Sequence, residues 1–512
     1  MVTKINSVGL WGLDGYKVEI ETDSRPSQEP EIDIVGLPDT AIKEARDRIV
    51  SAVSNCGYRI PSAHIIVNLA PADVKKEGTM FDLPMLLGIL SSTGQIPAPD
   101  ESYAFFGELS LSGNIRRGRG VLSAVIAAKE LGFKAIFVPE ENVAEGAVIE
   151  GIDVYSAPDV LTVIHHIEGT HTLTPVLRPL EEIIGAMPPT SDDFAYIIGQ
   201  QTAKRACEIA AAGGHNILLV GPPGSGKSMI AKSLPSILPD MSFDEIIESS
   251  KIYSIAGKLS EKEPLCVRRP FVRSNQNVSM PSLTGGGAVP TPGLISLAHN
   301  GVLFLDEVAE FSTRVLETLR QPLEDNVITV NRVRKSLIFP SSFMLVCAMN
   351  PCPCGYYGHP TVPCRCKESQ IEKYTGRISG PLLDRIDLQV SLPPVSAADI
   401  ADSKGALAEP SSEIKKRVNA ARKRQTDRLA PYGFTCNAKM SPKAIRELCV
   451  ITPEASAILN KIMERSTVSM RSYDKIIKIA QTIADLAGSD VILPDHVIEA
   501  SYFRTLDKKY KK

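Results

Sequence analysis

A run of eight residues near the middle of the chain, GPPGSGKS, has the composition and spacing of a phosphate-binding loop. Glycines let backbone N–H groups turn toward a phosphate, and the positive end of the following helix strengthens the attraction. In such loops the lysine reaches the β- and γ-phosphates and the final hydroxyl binds Mg²⁺. The pattern therefore predicts ATP and Mg²⁺ as ligands of Gly221, Pro222, Pro223, Gly224, Ser225, Gly226, Lys227 and Ser228. We assign Lys227 to the phosphates and Ser228 to the metal.

Two acidic residues end a second apolar run, GVLFLDE, and an asparagine ends a third, FMLVCAMN. If both runs are buried strands, these polar residues stand at strand tips beside the phosphate loop. An acidic residue there can hold Mg²⁺ through its water shell, and an adjacent carboxylate can orient and polarise the attacking water. We assign Asp306 to the metal and Glu307 to the general base. Asn350 is expected near the γ-phosphate or the lytic water.

Four cysteines lie within fifteen residues that are rich in glycine and proline: Cys352, Cys354, Cys364 and Cys366. Four thiols at this density suit a tetrahedral Zn²⁺. The C-x-C spacing is tighter than the usual C-x₂₋₄-C, so reduced free thiols and a redox disulfide stay open as alternatives to structural zinc. A catalytic zinc is not expected, because the four thiols leave no coordination position open.

The elements that must position these groups follow from the periodicity of apolar residues. Strands are predicted at YKVEIE, AHIIVNLAP and KAIFVPE, and helices at DTAIKEARDRIVSAVSNCG and VLSAVIAAKELG. A proline-rich stretch indicates a linker with one short helix. Further strands are predicted at NILLV, GVLFLDE and FMLVCAMN, and several helices follow. We therefore expect an α/β chain with an N-terminal domain over 1–170, a linker over 171–192, a nucleotide-binding domain over 193–395 and a helical domain over 396–512.

Composition and charge limit the partners and the cellular compartment expected for this chain. The net charge over 512 residues is −3, with 43% hydrophobic and 22% charged residues, so binding to nucleic acid needs a local basic surface. No apolar run approaches the roughly 18 residues of a membrane span, and no basic-then-apolar leader opens the sequence. We expect a cytoplasmic protein with no membrane partner and with its ten cysteines mostly reduced.

Several motifs together resemble those of AAA+ ATPases: GPPGSGKS, FLDE, the strand-end Asn350 and LLDRID. More narrowly, NPCPCGYYG, RISGPLLDRIDL and SLTGGGAVPTPGLISLAHNGVLFLDE are similar to segments of the magnesium-chelatase-like ATPases of the ComM/YifB family, and the likeness runs over almost the whole chain. The resemblance implies a P-loop AAA+ core with a C-terminal helical lid. It also implies a homo-oligomeric ring, usually a hexamer, that binds ATP between its subunits.

The same resemblance implies roles for residues outside the phosphate loop. Arg385, in LLDRID, is the expected arginine finger that completes the neighbouring subunit's site. Arg471, in SMRSYDKII, is the expected second sensor arginine, from the lid. Part of the adenine pocket is expected to come from Tyr196, Ile197 and Ile198.

An insert before GVLFLDE, which begins RRPFVRSNQNVSMPSL, is rich in glycine and proline and is predicted to be a mobile loop rather than core. The resemblance suggests that it faces a central pore. Relatives typically carry RPFRxPHH where this chain has RPFVRSNQ, so no family role is transferred to residues 272–276. A hairpin over NVITVNRVRKSLIF would present Arg332, Arg334 and Lys335, either to DNA phosphates or to solvent. The basic run EIKKRVNAARKRQTDRL is more typical of a solvated helix face than of a binding site, which stays open as the alternative.

Two N-terminal segments, NLAPADVKKEGTMFDLPMLLGILSS and FGELSLSGNIRRGRGVLSAVIAAKELGFKAIFVPEEN, resemble the proteolytic domain of Lon proteases. That chemistry needs a serine nucleophile that a lysine activates. Met80 stands where the serine is expected, and residues 121–125, where the lysine is expected, contain none. We therefore expect a Lon-protease-like α+β domain that is not proteolytic.

The leading functional hypothesis is a ring-shaped, ATP-driven motor on branched or single-stranded DNA. In the ComM branch of the family, this means branch migration of recombination intermediates in natural transformation. One alternative is a magnesium-chelatase-type subunit that drives metal insertion into a porphyrin, and another is an ATP-dependent protease or protein-remodelling chaperone. The Lon-like segments and the cysteine cluster favour the ComM/YifB branch, and the missing serine–lysine pair counts against a protease.

Overall fold

The structure is a computed structural model, and it describes residues 2–186, 192–287, 291–331, 336–395, 408–465 and 470–504. The chain forms two compact units. The first comprises Met1–Pro188 and Phe243–Val267, and the second comprises Pro189–Ser242 and Arg268–Lys512. The segment Phe243–Val267 therefore packs with the N-terminal part of the chain, although it lies between two stretches of the second unit in sequence.

The first unit is built on a mixed sheet. Its described strands are β1 (Thr3–Trp11), β2 (Asp14–Pro26), β3 (Glu31–Val35), β4 (Ala63–Ala70), β5 (Tyr103–Phe105), β6 (Glu108–Leu109), β7 (Ile115–Arg116), β8 (Ala135–Pro139) and β9 (Asp153–Ala157). Seven of them form one sheet in the order β3-β4-β2-β1-β5-β8-β9, and β6 pairs with β7. β2 runs antiparallel to β1 and β4, whereas the other neighbours in the sheet are parallel. The strands predicted in this region are confirmed.

Helices cover this sheet where the apolar residues recur at helical spacing. Those of the first unit are Thr40–Asn55, Asp82–Ser92, Val121–Glu130, Val143–Gly146, Val160–Ile167, Leu180–Gly185 and Phe243–Ile255. The first begins where the Asp39 carboxylate accepts a hydrogen bond from the Ile42 N–H at 2.9 Å, a standard N-cap. The last belongs to the inserted segment, and the Gly120 N–H donates to Ser254 O at 3.1 Å to hold it on the unit.

The second unit contains a five-stranded parallel sheet. Its described strands are β10 (Ile217–Val220), β11 (Phe271–Ser274), β12 (Gly285–Gly286), β13 (Thr291–Pro292), β14 (Val302–Leu305), β15 (Val327–Asn331), β16 (Ser336–Pro340), β17 (Met344–Met349) and β18 (Leu388–Ser391). The order in the sheet is β11-β14-β17-β10-β18, with every neighbouring pair parallel. β12 pairs with β13, and β15 with β16, as antiparallel ladders. The predicted strands at NILLV, GVLFLDE and FMLVCAMN are the central strands β10, β14 and β17.

The helices of the second unit pack on this sheet and extend to the end of the described chain. They are Gln201–Gly213, Lys227–Ser233, Met280–Thr284, Leu294–Leu297, Thr313–Glu317, Arg320–Asp325, Glu368–Thr375, Gly380–Leu383, Ser411–Leu429, Pro442–Leu448, Pro453–Arg465, Met470–Leu486 and Pro494–Tyr502. One apolar core joins sheet residues such as Ile217 and Val346 to C-terminal helix residues such as Ile479 and Ile483. Among the described residues, no helix is both long and apolar enough to span a bilayer.

The prediction that the glycine- and proline-rich insert is a mobile loop rather than core is wrong for part of the insert. Phe271–Ser274 forms β11, the edge strand that pairs with β14, and Leu283 and Ile295 are fully buried. Composition marks turns, but it cannot show that a four-residue run gains a parallel partner about thirty residues later in the chain. Residues 288–290 of the insert lie outside the described residues.

Candidate nucleotide-binding site

The phosphate loop joins the end of β10 to the helix Lys227–Ser233. All four residues of β10 are buried, as the apolar run predicts. Gly226, just before the helix, has φ of +89°, a left-handed conformation that side chains rarely adopt. The turn leaves the first N–H groups of the helix without intrahelical partners and free to bind an anion. The strand–loop–helix arrangement predicted around GPPGSGKS is confirmed.

Lys227 lies against its own loop and against the tip of β17. Its ammonium donates to the carbonyl oxygens of Gly221 and Pro222 at 2.7 and 2.8 Å, and to Asn350 Oδ1 at 3.2 Å. Burial lowers the pKa of Lys227 below its ordinary value, while two nearby carboxylates, Asp306 and Glu307, oppose that shift. A phosphate bound in the loop would attract the ammonium away from these neutral acceptors, because a charged acceptor forms the stronger hydrogen bond.

The hydroxyl that follows Lys227 faces the carboxylate at the tip of β14. Ser228 Oγ donates to Asp306 Oδ2 at 3.2 Å. Mg²⁺ takes octahedral oxygen ligands at about 2.1 Å, so adjacent ligand oxygens lie roughly 3 Å apart. The two oxygens therefore fit a shared divalent cation, directly or through water. Arg273 Nη2 also contacts Asp306 Oδ2, at 2.8 Å, so Mg²⁺ and this guanidinium would compete for one carboxylate.

Arg273 was not predicted to contact the site. It belongs to the stretch that departs from the family pattern, and β11 places it beside β14 by pairing Arg273 with Phe304. Only the strand order reveals this contact, because nothing in the run RPFVRSNQ marks an edge strand of the same sheet.

Glu307 is exposed and has a left-handed backbone, with φ of +53° and ψ of +47°. This conformation is strained for a residue with a side chain, and strain of this kind is concentrated at functional sites. The residue follows the end of β14 by two positions and caps the short helical turn Val308–Glu310, whose Glu310 N–H donates to Glu307 O at 2.7 Å. The Glu307 carboxylate lies close enough to Lys227 to oppose the lowering of the pKa of that lysine.

Strand order explains why these groups meet. β17 lies between β10 and β14, and the three strands are parallel. The residues that follow them, Gly221, Asn350 and Asp306, therefore emerge at one edge of the sheet. Neighbouring strands are about 4.8 Å apart, so side chains of three adjacent tips are within reach of one ligand.

Replacing Lys227 with alanine should weaken nucleotide binding by about 10- to 100-fold, the loss expected for removal of hydrogen bonds to a charged acceptor. The dissociation constant of a fluorescent ADP analogue measures this effect. Lys232→Ala is the matched control, because Lys232 is an exposed residue in the last turn of the same helix. If both variants bind with wild-type affinity, Lys227 is not a phosphate ligand.

The segment expected to contact adenine lies just before the helix Gln201–Gly213. Tyr196 is 60% exposed and Ile198 is 37% exposed, whereas Ile197 is 3% exposed and belongs to the core of the unit. Gln200 was not predicted as a site residue, yet its Nε2 donates to Ser225 O at 3.2 Å and to Pro393 O at 2.8 Å. This amide connects the segment directly to the phosphate loop. A lone glutamine carries no motif that could have identified it.

Arg385 lies at the opposite edge of the sheet from the phosphate loop. Its carbonyl oxygen accepts from Asn216 Nδ2 at 2.9 Å, and Asn216 directly precedes β10. Four strand residues, at about 3.3 Å each, separate that position from Gly221. The Arg385 side chain is 14% exposed, with Glu324 as an ion-pair partner. This arginine is therefore not part of the phosphate site of its own chain.

A buried charged cluster, unforeseen from the sequence, lies next to Arg385. The Asp387 carboxylate contacts Lys475 Nζ at 2.8 Å and His215 Nδ1 at 3.6 Å. Burial opposes ionisation of Asp387, but the Lys475 ammonium and the His215 ring outweigh it and hold the pKa of Asp387 well below its usual range. Lys475 lies one helical turn after Arg471, which is exposed at the start of the helix Met470–Leu486. The helix that carries Arg471 is thus bonded to the segment that follows Arg385.

The four clustered cysteines converge in a loop without regular secondary structure. The sulfur of Cys352 lies 3.4 Å from that of Cys354 and 3.7 Å from that of Cys364, and the latter two are 3.6 Å apart. Four sulfurs at 2.3 Å from a tetrahedral zinc would lie about 3.8 Å from one another. The donor set therefore fits zinc.

Most basic side chains of the helix Ser411–Leu429 are paired within the chain. Lys415 contacts Asp240 at 2.6 Å, Arg417 contacts Glu208 at 2.6 Å, and Arg428 contacts Asp485 at 2.7 Å. These pairs favour a structural function for the helix. The hairpin residues Arg332, Arg334 and Lys335 lie outside the described residues. The strands that carry the hairpin, β15 and β16, are present as predicted.

A buried ion pair lies at the end of the turn over residues 78–82. Asp82, which follows Met80 by two residues, is fully buried and contacts Arg48 Nε at 2.7 Å. The same carboxylate accepts from the Leu109 N–H at 3.2 Å. These bonds satisfy Asp82 within the first unit.

The chain matches three family descriptions along its length. These are "Subunit ChlI of Mg-chelatase" over residues 18–142, "Magnesium chelatase, subunit ChlI" over 193–400 and "Magnesium chelatase, subunit ChlI C-terminal" over 408–504. The central match contains the phosphate loop, both strand-tip carboxylates, the cysteine cluster and Arg385.

Individual proteins match more of the chain. The uncharacterized protein YifB of Salmonella typhimurium is 40% identical over 483 residues, which cover 94% of this chain and 92% of that protein. The competence protein ComM of Haemophilus influenzae is 38% identical over 489 residues, 94% of each chain. The magnesium-chelatase subunit ChlI of Olisthodiscus luteus is 24% identical over 172 residues, which cover 31% of this chain. The first two likenesses extend almost end to end, and the third covers less than a third of the chain.

Proposed function

We propose that this chain, which belongs to the ComM/YifB family of magnesium-chelatase-like AAA+ proteins, hydrolyses ATP and uses the energy to move on DNA. One observation supports the ATPase part of the proposal: four polar side chains lie close together at the C-terminal ends of the parallel strands. Lys227 contacts Asn350 there, and Ser228 contacts Asp306. Lys227 would bind the β- and γ-phosphates, and Mg²⁺ held near Ser228 and Asp306 would offset the charge that develops on the phosphoryl oxygens.

Glu307 acts as the general base in this proposal. Its carboxylate stands next to Asp306 and is exposed, so it can take the proton of a water that attacks the γ-phosphate. Asn350 orients that water or the γ-phosphate from the tip of β17. The adenine would lie near Tyr196, Ile197 and Ile198, which Gln200 links to the phosphate loop.

The motor would be a ring of identical subunits, with six as the expected number. Arg385 supports this arrangement, because its backbone lies at the opposite end of the strands from its own phosphate loop. In a head-to-tail ring, the N-terminal ends of one subunit's parallel strands can face the nucleotide site of the next subunit. Arg471 would contribute to the same seam as the second sensor, with the C-terminal helices as the lid.

The DNA part of the proposal is supported by the relative named competence protein ComM, which matches this chain over 94% of both lengths. We propose branched or single-stranded DNA as the polymer and branch migration during transformation as the process. The first unit would be a non-proteolytic, Lon-like platform, since Met80 occupies the nucleophile position. The hairpin from β15 to β16 would present Arg332, Arg334 and Lys335 to the DNA backbone.

The test is the rate of ATP hydrolysis with no polymer, with single-stranded DNA, with a four-way DNA junction and with an unfolded protein. We expect stimulation by DNA. The concentration of DNA for half-maximal stimulation should rise by about 10³-fold or more between roughly 50 and 200 mM salt if about six phosphates are contacted. Stimulation by the unfolded protein with no response to either DNA would support a protein-remodelling function instead.

A further inference from the structure

We propose that zinc bound by the four clustered cysteines clamps the phosphate loop, so that zinc occupancy sets the nucleotide affinity of the same subunit. The inference rests on the proposed ATP site and adds a second, structural ligand that controls it. It starts from the position of the cysteine loop, which leaves β17 immediately after Asn350, the residue bonded to Lys227.

The cysteine loop touches the phosphate loop directly. Gly355, which follows Cys354, has its backbone so close to Pro223 that an added Cβ would lie 2.6 Å from Pro223 Cδ. The Gly355 N–H donates to Cys352 O at 2.9 Å, which ties the contact to a zinc ligand. Pro223 is the third residue of GPPGSGKS, so displacement of Gly355 would displace the phosphate loop itself.

Little apolar burial holds this loop in place. In the segment 351–367, Pro351, Cys352 and Gly355 are the buried residues, and no helix or strand forms before Glu368. The three buried residues are those nearest the phosphate loop and β17. A segment with so little apolar burial cannot offset the entropy of ordering its backbone, whereas four zinc–sulfur bonds can.

The coupling must act in both directions. If zinc holds the phosphate loop in the conformation that binds nucleotide, bound nucleotide must strengthen zinc retention by the same factor. The equilibrium partition of zinc between the wild-type protein and a chromogenic chelator therefore reports on the clamp without any substitution. We expect saturating ADP with Mg²⁺ to shift that partition toward the protein.

Two glycines of the loop provide a matched pair of variants. Gly355 and Gly358 both have left-handed φ values, +85° and +79°, so alanine adds similar backbone strain at either position. An added Cβ at Gly358 meets nothing within 4 Å, whereas at Gly355 it meets Pro223. Comparison of the two variants therefore distinguishes the effect of contact with the phosphate loop from the effect of backbone strain in the cysteine loop.

We expect full-length Gly355→Ala to retain one zinc per chain and to bind a fluorescent ADP analogue about tenfold more weakly than wild type. Gly358→Ala should match wild type in both measurements. A Cys364→Ser, Cys366→Ser double variant should lose zinc and show weakened nucleotide binding, with circular dichroism to confirm that it is folded.

Three results would overturn the clamp: less than a tenth of an equivalent of zinc in the purified protein, equal nucleotide affinity in the two glycine variants, or an equilibrium partition of zinc to the chelator that ADP does not change. These measurements require neither DNA nor ATP hydrolysis. A protein that binds ADP with zinc-dependent affinity but is not stimulated by DNA would keep the clamp and refute the proposed motor.

Discussion

A Glu307→Gln variant should bind ATP with nearly wild-type affinity and hydrolyse it about 10²–10⁴-fold more slowly, the usual contribution of a positioned general base. The amide is the same size as the carboxylate, so the turn at φ of +53° and the contacts of Asp306 are retained. What is lost is the ability to take a proton from the attacking water. Single-turnover hydrolysis and the dissociation constant of the fluorescent ADP analogue separate the two effects.

Glu310→Gln is the control for this experiment. Glu310 is exposed in the same helical turn and contacts Arg377 Nη1 at 2.8 Å, so it experiences the same change of charge close to the site. We expect its hydrolysis rate to stay near wild type. A Glu307→Gln protein that turns over at the wild-type rate would remove Glu307 from the mechanism, and equal slowing in both variants would indicate a general effect of local charge.

An Arg385→Ala variant should lose hydrolysis by about 10³–10⁵-fold, by analogy with the arginine fingers of GTPases. Its own phosphate loop is intact, because Arg385 lies at the other edge of the sheet. We therefore expect nucleotide binding to be retained and activity to return when Arg385→Ala and Lys227→Ala subunits are mixed. In a randomly mixed head-to-tail ring, about one seam in four would pair an intact phosphate loop with an intact Arg385.

The control for subunit mixing is a Lys227→Ala, Arg385→Ala double variant. Mixed with Arg385→Ala, it supplies subunits for assembly but no arginine, so activity should not return. Mixed rings must be shown to assemble, for example by co-purification of differently tagged subunits. If such rings form and Lys227→Ala subunits restore nothing, Arg385 does not act across the seam.

The motifs in this chain predicted much of the nucleotide site because they are local. GPPGSGKS needs only its own strand and helix to form, and β10 and Lys227–Ser233 are where the pattern predicts them. The apolar runs ending in Asp306 and Asn350 predict strand tips, since a buried parallel strand consists of consecutive apolar residues. The four cysteines lie within one loop, so their convergence also follows from short-range spacing.

Other contacts in the site depend on which segments become neighbours in the fold. Short-range sequence patterns do not predict this order. Arg273 reaches Asp306 because β11 pairs with β14, and Asp387 meets Lys475 because a helix nearly ninety residues later contacts the residues just before β18. The inclusion of Phe243–Val267 in the first unit is a further example. Burial of the apolar faces of these segments selects their partners from the whole chain, so the tertiary structure alone decided them.

The sequence by itself thus determined the chemistry of the phosphate loop, its two strand-tip carboxylates and the cluster of thiols. The folded chain decided that Arg385 lies away from its own phosphate loop and that Gly355 presses on Pro223. The physical reason is range: hydrogen bonds and turn preferences act over a few residues, whereas packing joins residues that are a hundred or more positions apart.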